Sequence, residues 1–176
     1  MKTLEKFMDW LKHQKFWKVL LLALGFNLIW GFIVCSIPVL FGSESHLDVG
    51  DTLFYHSTLL EEIKFRWVPM LILSYTLLWM YKSGRLSKER FFEVEKYAIL
   101  ALVIVSSIVF GWAHGNFWNV FLQGVSGVCF MLIYLRVLFI RRDEGLRNRW
   151  QMVPLAETTL AHTLSNSIFN SILMII

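Results

Sequence analysis

Long apolar runs, separated by short charged segments, dominate the chain. Val19–Phe41 contains 23 residues without a formal charge, which as one helix is enough to cross a hydrocarbon core of about 30 Å. Tyr97–Leu135 contains 39 uncharged residues, about 58 Å as a single helix and therefore too long for one crossing. We predict two helices there, near 97–114 and 118–140, joined by a tight turn.

The turn is predicted at Gly115 and Asn116, the best turn dipeptide in that run. Two further apolar stretches, 55–81 and 154–176, bring the predicted number of membrane spans to five. No internal repeat or long linker divides the chain. The pattern therefore predicts an all-α, polytopic membrane helix bundle that forms a single domain over residues 1–176.

The first 18 residues are rich in lysine, and apolar residues recur among the lysines at helical spacing. Leu4, Phe7, Met8 and Leu11 recur among lysines, a pattern typical of an amphipathic helix on a membrane surface. A frayed basic tail would have the same composition, and both interpretations stay open. Because no small-residue cleavage site follows the first apolar run, we expect 19–41 to be a retained signal anchor.

Basic residues cluster in alternate loops between the predicted spans. They precede span one, follow span two and follow span four, whereas the segment 42–54 holds three acids and no lysine or arginine. By the positive-inside rule this predicts a cytoplasmic N-terminus and an external C-terminus. We expect the membrane to be a bacterial plasma membrane.

Composition supports the same class of protein. Apolar residues make up 56% of the chain, charged residues 17%, and the mean hydropathy is +0.55. A soluble enzyme, a disordered chain and a secreted disulfide scaffold are excluded by these values. The net charge of +4 comes from topogenic blocks and not from a continuous basic face, so we expect membrane lipid and no nucleic acid as a partner.

Three polar motifs lie in or beside the predicted spans, where charge is costly and is a functional candidate by default. The first, at the entry to span two, contains Glu61, Glu62 and Arg66. Glu62 precedes Arg66 by one helical turn, the favourable order for an ion pair. Glu61 points elsewhere and is left to accept a proton from water. The alternative is that both acids flank the membrane in a solvated loop.

The other two motifs supply histidines. Phe110 and His114 share a face at the end of span three, and His162 and Asn166 share a face in the middle of span five. N–H groups of His162 and Asn166 could hold a developing oxyanion. The competing interpretation is that they form ordinary interhelical hydrogen bonds, which histidine and asparagine also make in lipid.

These motifs, in order and spacing, resemble the CPBP family of intramembrane proteases, which includes the type II CAAX prenyl protease and bacterial bacteriocin-processing and self-immunity proteins. The family pattern E-E-x-x-x-R matches Glu61, Glu62 and Arg66; F-x-x-x-H matches Phe110 and His114; H-x-x-x-N matches His162 and Asn166. Gly124 and Gly127 are similar to the family's glycine-containing helix, whereas Trp67 stands where the family often has glycine.

The resemblance covers residues 55–170 and implies a four-helix catalytic core within 55–176, with 19–41 as an accessory span. It implies a glutamate-dependent endopeptidase without a cofactor that cleaves a peptide or membrane protein. Glu61 with His114 would activate water, His162 with Asn166 would hold the oxyanion, and Glu62 with Arg66 would hold the site together. Substrates would be peptide pheromones, bacteriocin precursors or membrane-protein tails.

The sequence leaves open two alternatives to an endopeptidase without a cofactor. A catalytically idle self-immunity or regulatory protein would bind a peptide or membrane partner without cutting it. A metalloprotease could bind zinc through a glutamate and two histidines, although the sequence contains no H-E-x-x-H motif.

Overall fold

The computed structural model describes residues 2–40, 55–115, 117–142 and 152–173. Within these ranges the chain is all-helical and contains no strand. The elements are α1 Lys2–Lys12, α2 Phe16–Leu40, α3 Tyr55–Glu62, a π-turn Ile63–Trp67, α4 Val68–Lys82, α5 Lys88–Trp112, α6 Phe117–Arg142 and α7 Met152–Leu173. The acidic segment 42–54, the turn residue Asn116, and Arg147 and Arg149 of the last basic segment lie outside the described residues.

Among the described residues, three segments are long and apolar enough to cross a membrane: Phe16–Val34, Lys88–Trp112 and Phe117–Arg136. The protein is therefore a helical membrane protein. Charge at the start of 55–82 and hydroxyl and amide residues along α7 lower the hydropathy of the other two predicted spans.

Helix α5 begins at Lys88, well before the predicted start near residue 97. Ser87 is the N-cap, and its hydroxyl accepts a hydrogen bond from the Arg90 backbone N–H at 3.3 Å. The charged residues 88–96 continue the helix because backbone hydrogen bonding does not require apolar side chains. Gly115 follows α5 with a φ of +104°, a left-handed conformation that glycine adopts readily, which confirms a turn there.

Helices α5 and α6 pack with their backbones in close contact. A Cβ atom on Gly111 would lie 2.6 Å from the Asn119 carbonyl oxygen, and one on Gly124 would lie 2.9 Å from the Ser107 carbonyl oxygen. Only glycine fits at such positions. This contact fixes the end of α5, which carries Phe110 and leads into His114, against the first half of α6.

One apolar core connects the N-terminal helices to the rest of the bundle. Leu11 of α1 and Leu20 of α2 are buried in the same cluster as Phe130 and Tyr134 of α6 and Ala161 of α7. Arg136 also joins these parts, because its Nε donates to the Gln14 carbonyl oxygen at 2.7 Å and its Nη1 forms an ion pair with Glu157 at 3.0 Å. Helices α1 and α2 are therefore tied to the bundle and do not extend away from it.

Candidate active site

The first motif lies on a helix that widens locally into a π-turn. The Val68 backbone N–H donates to the Ile63 carbonyl oxygen, a five-residue spacing that defines the π-turn. Both Phe65 and Arg66, which are adjacent in sequence, are buried. A π-turn of this kind is frequent at functional sites because it redirects side chains without ending the helix.

Glu62, Arg66 and His162 form a buried polar triad. Their exposed fractions are 0%, 2% and 1%. Oε1 of Glu62 accepts hydrogen bonds from Nη1 of Arg66 and from Nδ1 of His162, the latter at 2.8 Å. The ion pair expected from the i, i+4 spacing is present, and the structure adds His162 of α7 to it. Helix α7 is thereby joined to the Glu62 helix at the centre of the bundle.

Two phenylalanines enclose the cation of this triad. The Arg66 guanidinium lies 4.9 Å from the Phe110 ring centroid and 5.3 Å from that of Phe130, distances typical of cation–π contacts. Nη2 of Arg66 also donates to the Gly127 carbonyl oxygen at 3.4 Å. Phe130 stacks on the His162 imidazole with a centroid distance of 4.5 Å. The aromatic rings hold both side chains in one orientation.

Glu61 lies beside the triad, at the edge of the bundle. Its Oε2 is 3.9 Å from Nε2 of His114 and 3.7 Å from Nε2 of His162. Glu61 and His114 are 20% and 22% exposed, in contrast to the fully enclosed triad. Oε2 of Glu61 is itself buried and accepts no hydrogen bond from the described residues, so it is an acceptor directed between two imidazoles on a side chain that is only partly exposed.

The imidazole of His114 is oriented by the end of helix α5. Its Nδ1 is 2.8 Å from the Phe110 carbonyl oxygen, a group that can only accept, so Nδ1 carries a proton. Nε2 is therefore the nitrogen that faces Glu61. Asn119 of α6 is buried, and its Nδ2 donates to the His114 carbonyl oxygen. The backbone and the ring of His114 are thus both held by hydrogen bonds.

Asn166 is half-buried and lies one turn after His162 on α7. The hydrogen bonds of the described residues do not connect its amide to the carboxylates. A nearby pair instead joins the helices, because the Thr58 and Thr163 hydroxyl oxygens are 2.8 Å apart. The structure therefore brings five predicted residues into one cluster: Glu61, Glu62, Arg66, His114 and His162. Asn166 lies one helical turn further along α7.

Three contacts of this cluster were not predicted from the sequence, although Gly127 was noted there through the family resemblance. Phe130, which stacks on His162, lies within an uninterrupted apolar run, and the contribution of Gly127 is a backbone carbonyl. Asn119 offered a weak signal, because it is a polar residue directly after the predicted turn. All three depend on how α6 packs on its neighbours.

No arrangement of three or more histidine, cysteine, aspartate or glutamate side chains suited to a metal ion occurs within the described ranges. No protein-family model, curated protein or solved structure matches the chain.

Proposed function

We propose that this protein is an intramembrane endopeptidase of the CPBP type. The observation that carries the proposal is the position of the Glu61 carboxylate, whose Oε2 accepts no hydrogen bond from the described residues and lies 3.7–3.9 Å from the nearest nitrogens of two imidazoles. A carboxylate in such a position can take a proton from water, and an adjacent imidazole can orient that water. The buried triad behind it supplies fixed charge and geometry.

In the proposed reaction, Glu61 removes a proton from water while the water oxygen attacks the carbonyl carbon of a peptide bond. The tetrahedral intermediate carries a negative oxygen, which N–H groups of His162 and Asn166 would hold. The intermediate then collapses, the C–N bond breaks, and the proton on Glu61 passes to the departing amine. One water is consumed, and one carboxylic acid and one amine are released.

The role of His162 sets a requirement on its charge. Because Nδ1 faces the Glu62 carboxylate at 2.8 Å, an ionised Glu62 requires Nδ1 to donate. Nε2 can then donate to an oxyanion only if the ring carries two protons.

The function is tested with the purified protein in liposomes, supplied with a mixture of membrane-anchored peptides of varied sequence in water enriched in ¹⁸O. We expect shortened peptides whose new carboxyl terminus contains ¹⁸O, detected by mass spectrometry. Peptides that are retained on the protein but never shortened would instead identify a binding protein of the self-immunity or regulatory kind.

The reaction should not require a metal ion. Carboxylate, imidazole and amide groups are sufficient to activate water and hold an oxyanion. We expect full cleavage after treatment with a chelator, and less than stoichiometric zinc in the purified protein by elemental analysis. Loss of cleavage with the chelator and recovery with zinc would establish a metalloprotease.

We also propose that the chain has five membrane spans and lies in a bacterial plasma membrane. The segment 55–82 and α7 are the two spans that complete a four-helix core. Helix α7 carries His162, and the helix from Tyr55 to Lys82 carries Glu61 and Glu62, so both must pack inside the bundle for the cluster to form. In this arrangement α2 is an accessory span.

The orientation is tested with topology reporters. A reporter that is active only outside the cell should work when fused after Ile176, and a reporter that is active only inside should work at Arg85, which lies between α4 and α5. The opposite pattern at the two positions would contradict five spans with a cytoplasmic N-terminus.

A further inference from the structure

An apolar cavity lies between α1, α2 and α6. Its volume is about 370 Å³, within the range of pockets that bind small molecules. Its lining is apolar and aromatic apart from one thiol: Phe7, Trp10, Leu11, Val19, Leu22, Ala23, Phe26, Val125, Val128, Cys129 and Leu132. Such a surface offers a ligand dispersion contacts and almost no hydrogen bonding, so the complementary ligand is a hydrocarbon chain.

This cavity is separate from the candidate active site. Val125, Val128 and Leu132 line it from one face of α6. Phe130 and the Gly127 carbonyl contact the buried triad, and at about 100° per residue they lie on the opposite face of the same helix. A molecule in the cavity would therefore be separated from Glu61 and the histidines by the width of α6.

One side of the cavity is closed and the other is open. Leu11, Val19 and Cys129 are buried and form its floor, whereas Phe7, Leu22 and Phe26 are exposed at its edge. An opening bordered by large exposed apolar side chains, on a helix that is apolar enough to span a membrane, faces lipid. The ligand can therefore enter from the bilayer.

Positive charge lies next to this opening. Lys15 and Lys18 are exposed, and they precede Val19 and Leu22 of the lining by one helical turn. The two lysines are therefore at the end of the cavity where α2 begins, within reach of a headgroup attached to a chain in the cavity. Lysines in such a position attract anionic lipids.

We propose that the cavity binds one acyl chain of an anionic phospholipid, and that Lys15 and Lys18 contact its phosphate-containing headgroup. The bound chain fills the space between α1 and the α2–α6 pair and so completes the packing of α1. The proposal concerns lipid binding alone and does not depend on peptide hydrolysis at the other site.

The experiment measures lipid retained by the full-length protein after delipidation and addition of phosphatidylglycerol or phosphatidylcholine, by native mass spectrometry. Ala23→Phe places a ring in the cavity and should weaken binding of either lipid at least tenfold. Leu21→Phe adds the same ring to the neighbouring, outward-facing position, where the side chain is 68% exposed, and should leave binding unchanged. Equal binding by the two variants would overturn the proposal.

The headgroup contact is tested by Lys15→Gln and Lys18→Gln. Each should weaken phosphatidylglycerol binding about fivefold, the effect of one lysine near an anionic surface, and leave phosphatidylcholine binding unchanged. Lys88→Gln, at the start of α5 and away from the cavity, is the matched control. Equal effects of all three substitutions would overturn the headgroup assignment.

A second measurement leaves the cavity wall intact. Cys129 is a free, buried thiol in the lining, so in a Cys35→Ala background its alkylation by a small maleimide reports access to the cavity. Phosphatidylglycerol should slow the alkylation at least tenfold at saturation. An unchanged rate would overturn occupancy of the cavity, even if Ala23→Phe failed to fold.

Discussion

Glu61→Gln should reduce peptide cleavage by about 10²–10⁴-fold, the range that a general base contributes, while the protein remains folded. Glutamine keeps the size and hydrogen-bonding ability of the side chain but cannot take a proton from water. Because Glu61 is partly exposed and outside the buried triad, its neutralisation leaves Arg66 and Glu62 paired. Cleavage rate, solubilised yield and thermal stability should be measured on the same preparations.

Glu93→Gln is the matched control, because Glu93 is an exposed acid on α5. It should change neither cleavage nor stability. If Glu61→Gln cleaves at the normal rate, Glu61 is not the general base, and a well-folded but inactive Glu62→Gln variant would then reverse the two assignments.

Glu62→Gln should destabilise the protein by about 3–5 kcal/mol, the usual cost of removing one partner from a buried ion pair. The variant leaves the Arg66 guanidinium enclosed by Phe110 and Phe130 without its anionic partner, and it removes the carboxylate that His162 contacts. Folded yield in detergent and the midpoint of thermal unfolding should both fall, and cleavage should fall with them.

The double variant with Arg66→Gln separates charge from packing. It removes the uncompensated cation, so part of the lost yield and thermal stability should return, whereas cleavage should not. A double variant that is no more stable than Glu62→Gln alone would show that the ion pair is not what the first substitution disrupts.

Apolar patterning predicted a helix boundary well where a turn-forming residue interrupts the apolar run. It predicted the boundary less well where the helix continues into charged sequence. The break at Gly115 was predicted because glycine is suited to the turn that the structure contains. The start of α5 at Lys88 was not, because the apolar run begins later than the helix. The π-turn Ile63–Trp67 was also not predicted, since no local residue preference distinguishes it from α-helix.

In the candidate site, contacts within one helix could be predicted from the sequence, whereas contacts between helices could not. The Glu62–Arg66 pair follows from a spacing of one turn within one helix and could be predicted. The bridge from His162 to both carboxylates depends on how α7 packs against the Glu61 helix. The stacking of Phe130 on His162 depends on the rotation of α6, because any residue of that apolar run could have faced the imidazole.

The distance along the chain between Glu62 and His162, 100 residues, has a consequence for synthesis. A ribosome completes the part of the chain that carries Glu61, Glu62, Arg66 and His114 before it makes α7. During that interval the Glu62–Arg66 pair lacks its imidazole partner, and Glu61 has only one of its two neighbouring histidines. The nascent chain therefore cannot assemble the complete cluster, and the earlier helices enter the membrane before the candidate site forms.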